Sequence, residues 1–183
     1  MAYKNQQVLP AFREWKQLEK FLRSDYQYGV LLESHLGQIR SIINAVNKAD
    51  KKLILHVDLI NGLKPNEYAV EFLCQEMNPA GIISTRAGAV QAAKKKGVDA
   101  IQRVFLLDSS AIETTYKLIP KVKPDYIELL PGVIPSLIEK VSAKTGVPVL
   151  VGGLIDTEQD VINALEAGAT AITTSNPNLW KEY

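Results

Sequence analysis

Val149-Leu150-Val151-Gly152-Gly153-Leu154-Ile155 and, further on, Ala171-Ile172-Thr173-Thr174-Ser175-Asn176-Pro177 decide how this chain is read. Each is a short apolar run that ends in small, backbone-exposing residues ahead of a helix-like segment. Two such ends on neighbouring parallel strands are how many β/α barrels hold a phosphate. Gly152 and Gly153 let amide N–H groups approach an anion with no side chain in between. The helix N-terminus expected next adds N–H donors and a partial positive charge. Together the two ends point to a phosphorylated small molecule, and leave open whether it is converted or sensed.

Working outward, strand-length apolar runs alternate with helical patterns along nearly the whole chain. Strands are expected at 29–32, 53–57, 81–84, 100–105, 126–129, 147–151 and 169–173. Most are near-continuous in apolar residues, as parallel strands covered on both faces are. Helices are expected at 38–49, 65–76, 87–96, 110–121, 135–144 and 158–166, with an extra one at 12–22 ahead of the first strand. Ser110-Ala111-Ile112-Glu113 has the capping-box pattern, and Thr157 suits the cap of the helix after the Gly-Gly turn. Gly97, Gly146 and Gly168 stand where helices should end in a left-handed residue. No Gly-x-Gly-x-x-Gly follows a strand, which weakens the dinucleotide-binding alternative. The expected fold is a compact, TIM-barrel-like α/β barrel. It has about seven βα units and an extra N-terminal helix, in a single domain over 1–183. That is short of the usual eight units and about 250 residues.

Composition narrows the function. The 183 residues are 46% hydrophobic, and 21 basic against 20 acidic side chains leave a net charge of +1. A protein that coats nucleic acid or membrane by charge alone has no such balance, so any RNA partner must meet a local patch. The one cysteine, Cys74, reads as a buried core thiol. His35 and His56, without paired cysteines, offer no metal motif, and no metal or cofactor is expected. No membrane-length apolar run or signal peptide is evident, so a cytoplasmic location without a membrane partner is expected.

In a barrel the functional face is the C-terminal end of the strands. Gly152, Gly153, Thr174 and Ser175 are the candidate phosphate ligands. Arg103 and Glu128 are charges set inside apolar strands, and Asp58 follows His56 on one strand face. Buried charges must be paired or face a polar pocket. Asp58, Arg103 and Glu128 are therefore read as a network lining the barrel mouth. Architectural alternatives stay open: an Arg103–Glu128 pair that plugs the barrel, an Asp58 that caps its loop, a His56 held in the core. Lys94, Lys95 and Lys96 are either a solvated helix end or part of a basic RNA-binding patch.

Several segments together carry a family resemblance. They are Val8-Leu9-Pro10-Ala11, His56-Val57-Asp58-Leu59-Ile60-Asn61-Gly62 and Gly81-Ile82-Ile83-Ser84-Thr85-Arg86, then Ile101 to Ser109, Asp125 to Gly132, Gly152-Gly153-Leu154-Ile155, and Thr173-Thr174-Ser175 with Leu179-Trp180. In this order the chain resembles the glycerol-3-phosphate-responsive transcription antiterminators of bacteria. The resemblance implies a TIM-barrel-like fold that binds glycerol 3-phosphate as effector. It also implies action on the leader mRNA of glycerol-catabolic genes, allowing read-through of a terminator, and no catalysis. The phosphate would sit at the Gly-Gly and Thr-Ser ends, with the glycerol hydroxyls held by carboxylates such as Asp58 and Glu128. The alternative is a barrel enzyme acting on a small phosphorylated triose or sugar. No lysine at a strand end offers a Schiff base, but Asp58, Glu128 and His56 leave acid–base chemistry open.

Overall fold

The computed structural model describes residues 3–181 and 183. In chain order its elements are β1 (Val8–Phe12), α1 (Trp15–Leu22), β2 (Tyr28–Leu31), β3 (Ser34–His35), α2 (Leu36–Lys48) and β4 (Lys52–His56). A 3-10 turn (Val57–Leu59), β5 (Ile60–Asn61), α3 (Glu67–Met77), β6 (Gly81–Ser84), α4 (Ala87–Lys95) and β7 (Asp99–Phe105) follow. The chain continues with α5 (Ser109–Val122), β8 (Tyr126–Leu130), α6 (Pro135–Thr145), β9 (Val149–Gly152), α7 (Glu158–Glu166), β10 (Ala171–Thr174) and a second 3-10 turn, Pro177–Leu179.

Eight strands close the barrel in the order β1-β10-β9-β8-β7-β6-β4-β2, every pair parallel. The barrel class matches the sequence reading, but the count of about seven units with an extra helix does not. Residues 8–12 are a strand between β10 and β2, so α1 is the crossover of a first βα unit. Pro10 disguised it. A proline has no N–H for the ladder, and in a sequence it argues against a central strand. Here Pro10 lies opposite Thr174 in a strand buried along its whole length. The short chain thus reaches eight strands by keeping each at four to seven residues.

Two apolar layers hold the fold. Leu9, Ala11, Val30, Ile54, Ile83, Ile101, Leu150 and Ala171 fill the barrel interior. The opposite strand faces pack on the helices through two larger clusters. This double burial explains the near-continuous apolar strands. The N-terminal end of the barrel is sealed. Tyr3 packs on the rings of Tyr28 and Tyr126 and donates its hydroxyl to Asp99 at 2.5 Å, and Lys4 pairs with the same carboxylate. Burial and Asp99 hold the Tyr3 hydroxyl far above the usual tyrosine range. The C-terminal end of the barrel, by contrast, opens into a cavity.

Helix ends follow local chemistry. Thr157 caps α7 in a capping box with Asp160, as its sequence suggests. Gly97, Gly146 and Gly168 have positive φ. α5 starts differently from expectation. Asp108, rather than Ser110, is the cap, accepting from the Ala111 amide at 2.8 Å. Cys74 is half-buried beside the outer core, and burial raises its thiol pKa.

Candidate functional site

β7 and β8 lie in register with Arg103 directly opposite Glu128, and both side chains point inward above the Ile101 layer. Arg103 Nε donates to Glu128 Oε2 at 2.6 Å. The second carboxylate oxygen accepts from the Thr173 hydroxyl at 2.7 Å. Arg103 Nη1 lies 3.4 Å from His56 Nδ1. Because a guanidinium only donates, that nitrogen must accept, and the His56 proton sits on Nε2. This second nitrogen is 3.8 Å from Asp58 Oδ2. Groups from β4, the 3-10 turn after it, β7, β8 and β10 therefore line up across the barrel as His56, Asp58, Arg103, Glu128 and Thr173. Glu128 is fully buried, while Arg103 retains 7% exposure.

Burial and the Arg103 charge depress the His56 pKa below its ordinary value of about 6.5. As pH falls below about 6.5 the unfolded chain takes up a proton that the folded chain refuses, so stability falls with it. Asp58 behaves oppositely. Burial tends to raise its pKa, but donation from the Ser84 hydroxyl and from the Thr85 amide and hydroxyl outweighs this and lowers it. Its stabilisation is present above about 3.9 and lost only as pH falls through the depressed value. Urea unfolding followed against pH is expected to show a loss beginning near pH 6.5, and His56→Asn to remove that first loss while leaving the acidic one. A His56→Asn profile parallel to the native one would exclude His56 as its source.

Above this network lies a cavity of about 180 Å³ in the barrel mouth. Its polar lining is Arg13, Arg103, Gly153, Thr173, Thr174 and Ser175, and its apolar lining is Ala11, Leu32, Leu59, Leu130 and Ile155. For scale, a cavity of about 150 Å³ accommodates benzene. No carboxylate is among the lining residues. Gly153 and Leu154 both have positive φ, which turns the chain sharply after β9. Among the described residues, none accepts a hydrogen bond from the amides of Gly153, Leu154 or Ser175. Ser175 is held from behind, its carbonyl accepting from Gln17 Nε2 at 3.2 Å, and the Thr174 carbonyl accepts from Trp180 Nε1 at 2.9 Å.

Of the sequence candidates, Gly153, Thr174, Ser175 and Arg103 meet at this cavity. Gly152 does not line it. A Cβ on Gly152 would stand 2.2 Å from Thr173 Oγ1, so this glycine permits packing beneath the site. The carboxylates need correcting. Glu128 lies below the cavity floor, and Asp58 is tied to the β6–α4 turn, so neither is placed to hold a ligand hydroxyl. The helix dipole also needs correcting. At the start of α7 the Asp160 amide is taken by the Thr157 hydroxyl and the Thr157 amide by the Asp160 carboxylate, and the charges of Glu158 and Asp160 offset the dipole for an anion. Arg13 was missed. It follows β1, the strand Pro10 concealed, and the match of Val8 to Ala11 with a strand end would have revealed it. Lys94 and Lys96 lie at the other end of the barrel, paired with Asp125 and Glu71. Among the described residues, no group of three or more His, Cys, Asp or Glu side chains could hold a metal ion, and no helix is long and apolar enough to cross a membrane.

A family model described as glycerol-3-phosphate responsive antiterminator matches residues 8–180. The chain belongs to that family. It is 45% identical to the glycerol uptake operon antiterminator regulatory protein of Listeria monocytogenes, whose crystal structure superposes with a TM-score of 0.96 over 100% of this chain and 99% of that one. An antiterminator-related protein of Thermotoga maritima is 28% identical, with a TM-score of 0.86 over 97% and 99% of the two chains. The uncharacterized protein YgcP of Escherichia coli K12 is 33% identical over 94% of this chain and 91% of its own length. Deoxyribose phosphate aldolase of Aeropyrum pernix, at 15% identity and a TM-score of 0.69 over 92% and 85%, shares the fold. Antiterminator regulation on a TIM-barrel-like fold is thus the class to which this family member is assigned.

Proposed function

We propose that this protein binds glycerol 3-phosphate in the mouth cavity and, so liganded, acts on a leader mRNA to let transcription pass a terminator. The carrying observation is the cavity lining: two arginines, three hydroxyl side chains and a left-handed glycine turn, without one carboxylate. Such a lining suits a small dianion. Charge-assisted bonds from guanidinium and amide groups hold phosphate oxygens strongly. The cavity's modest size suits a three-carbon body. Leu32, Leu59 and Leu130 would face its carbon atoms, while Thr173 to Ser175 can donate to or accept from its hydroxyls. The role requires no catalytic group or cofactor, and acting on mRNA places it in the cytoplasm.

Arg13 is exposed, so its contribution is screened. Arg13→Gln is expected to weaken glycerol 3-phosphate about tenfold, corresponding to about 1.4 kcal/mol, without lowering the melting temperature of the free protein. Glycerol alone should give no thermal stabilisation. Calorimetric titration checks the first point and a thermal melt the second. An Arg13→Gln variant with native affinity would take this residue out of the site. NMR of the ligand over hours, beside leader-RNA affinity with and without ligand, tests the role. Turnover, with RNA affinity indifferent to ligand, would promote the enzyme alternative instead.

A further inference from the structure

We propose that the RNA phosphate backbone is taken by the N-terminal rim of the barrel, along the ends of α4, α5 and α6, opposite the ligand cavity. The proposal rests on the antiterminator reading above. The helices run antiparallel to the strands, so their C-termini gather at the end that Tyr3 seals. α4 packs on α5 and α5 on α6, which makes the three ends one continuous surface. Lys95, Lys121, Lys123 and Lys144 are exposed there, and Lys117 and Lys140 continue the exposed row one turn further along α5 and α6. Among the described residues, none of the six is in an ion pair. Lys94 and Lys96 are neutralised by Asp125 and Glu71, so of that trio only Lys95 joins the surface. The three helices carry two acidic residues in all. Glu113 lies toward the mouth end of α5, which leaves Glu139 alone among the lysines. A chain of net charge +1 thus concentrates positive charge on one rim.

Lys123 sharpens the point. It ends α5 with φ 52°, in the left-handed region that side chains other than those of asparagine and aspartate avoid. The neighbouring helices use glycine for the same turn, Gly97 at φ 76° and Gly146 at φ 66°. At the centre of the rim the chain places a cation where its own geometry favours glycine. The surface suits a nucleic acid better than a lipid surface. Membrane-surface binding combines basic with inserted apolar side chains. None of the exposed large apolar residues lies on α4, α5, α6 or the turns that follow them. Because the rim and the cavity are at opposite ends, RNA and glycerol 3-phosphate bind together rather than compete.

The test uses the full chain, single-stranded poly(U) RNA and vesicles containing anionic phospholipid. Replacing Lys95, Lys121 and Lys140 by Gln is expected to weaken poly(U) more than tenfold. It should also reduce the slope of log affinity against log salt by about 2, at about 0.7 per phosphate contact on single strands. Thermal stabilisation by glycerol 3-phosphate should be unchanged. Lys123→Gly should raise the melting temperature and yet weaken poly(U) severalfold, a pairing of signs that a merely structural lysine does not give. Equal poly(U) affinity and slope in wild type and triple variant, no poly(U) binding by wild type, or tighter lysine-dependent binding to the vesicles would each overturn the proposal. The antiterminator reading has its own arm. If leader RNA ignores glycerol 3-phosphate while poly(U) binding remains lysine-dependent, that reading fails and the surface stands.

Discussion

Glu128→Leu is expected to lower the unfolding free energy by about 3–5 kcal/mol, because it leaves Arg103 buried without its counter-charge. For a chain of this size that is a melting shift of roughly 6–20 °C, at about 2–4 °C per kcal/mol. Total stabilities of about 5–15 kcal/mol make it one of the largest single losses open to this fold. The double variant Arg103→Met/Glu128→Leu should recover most of the loss, since apolar replacement of a whole buried pair is often neutral or better. It should nevertheless lose glycerol 3-phosphate. Glu128 and His56 engage two of the five N–H donors of Arg103, and the remainder are left for the cavity. A charged hydrogen bond of about 1.5–3 kcal/mol corresponds to roughly ten- to more than a hundredfold in affinity. Thermal unfolding and calorimetric titration of both variants separate the two effects. A double variant that binds the ligand normally would show that the pair serves the barrel alone.

The second large effect is expected from one methyl group. In Gly152→Ala the new Cβ would stand 2.2 Å from Thr173 Oγ1 and 3.1 Å from the Thr173 carbonyl oxygen. The hydroxyl is pinned, 2.7 Å from Glu128 Oε1 and 3.2 Å from the Val151 carbonyl. Either Thr173 turns away and strips Glu128 of a donor, or β9 and β10 part at the edge of the cavity. Overpacking and the lost hydrogen bond together should cost about 2–4 kcal/mol. Removing the obstructing hydroxyl should relieve it. Gly152→Ala combined with Thr173→Ala is expected to be more stable than the sum of the two single losses by about 1 kcal/mol or more. Strict additivity in urea unfolding would mean that the two residues do not meet as described.

The barrel was legible because its strands are covered on both faces and its helix ends carry ordinary cap chemistry, as at Thr157 and Gly146. The strand that completes it was not legible, because Pro10 mimics a break and the helical pattern of α1 extends back over Phe12. The polar ends Gly153, Thr174 and Ser175 were visible as small residues closing apolar runs. The side of the barrel to which a charge points is also fixed by the strand period of two, so Arg103 and Glu128 were visible as inward-facing. Their depth was not. One layer separates a group that meets solvent from one sealed beneath it, and depth depends on side-chain reach and on the relative stagger of strands far apart in sequence. Arg103 and Glu128 stand opposite each other, and it is the longer arginine side chain that reaches the cavity while Glu128 stays buried. Asp58 illustrates a different blindness. Its partners Ser84 and Thr85 lie on the next barrel strand and its turn, and nothing in either segment alone announces the contact.

The position of β1 has a consequence for assembly. β10 meets β1 along Val8 to Pro10, so the first and last barrel strands share one seam, and the cavity lies across it, with Ala11 and Arg13 on one bank and Thr173 to Ser175 on the other. A binding site divided in this way does not exist in any partly made chain. It appears only when the last strand docks, which is the most long-range pairing in the barrel and the slowest kind to form. An anion bridging the two banks would act as a clasp on that closure, adding its binding free energy to the seam. Sensing would then be confined to finished molecules, and the effector would guard the joint between the first and last strands of the barrel.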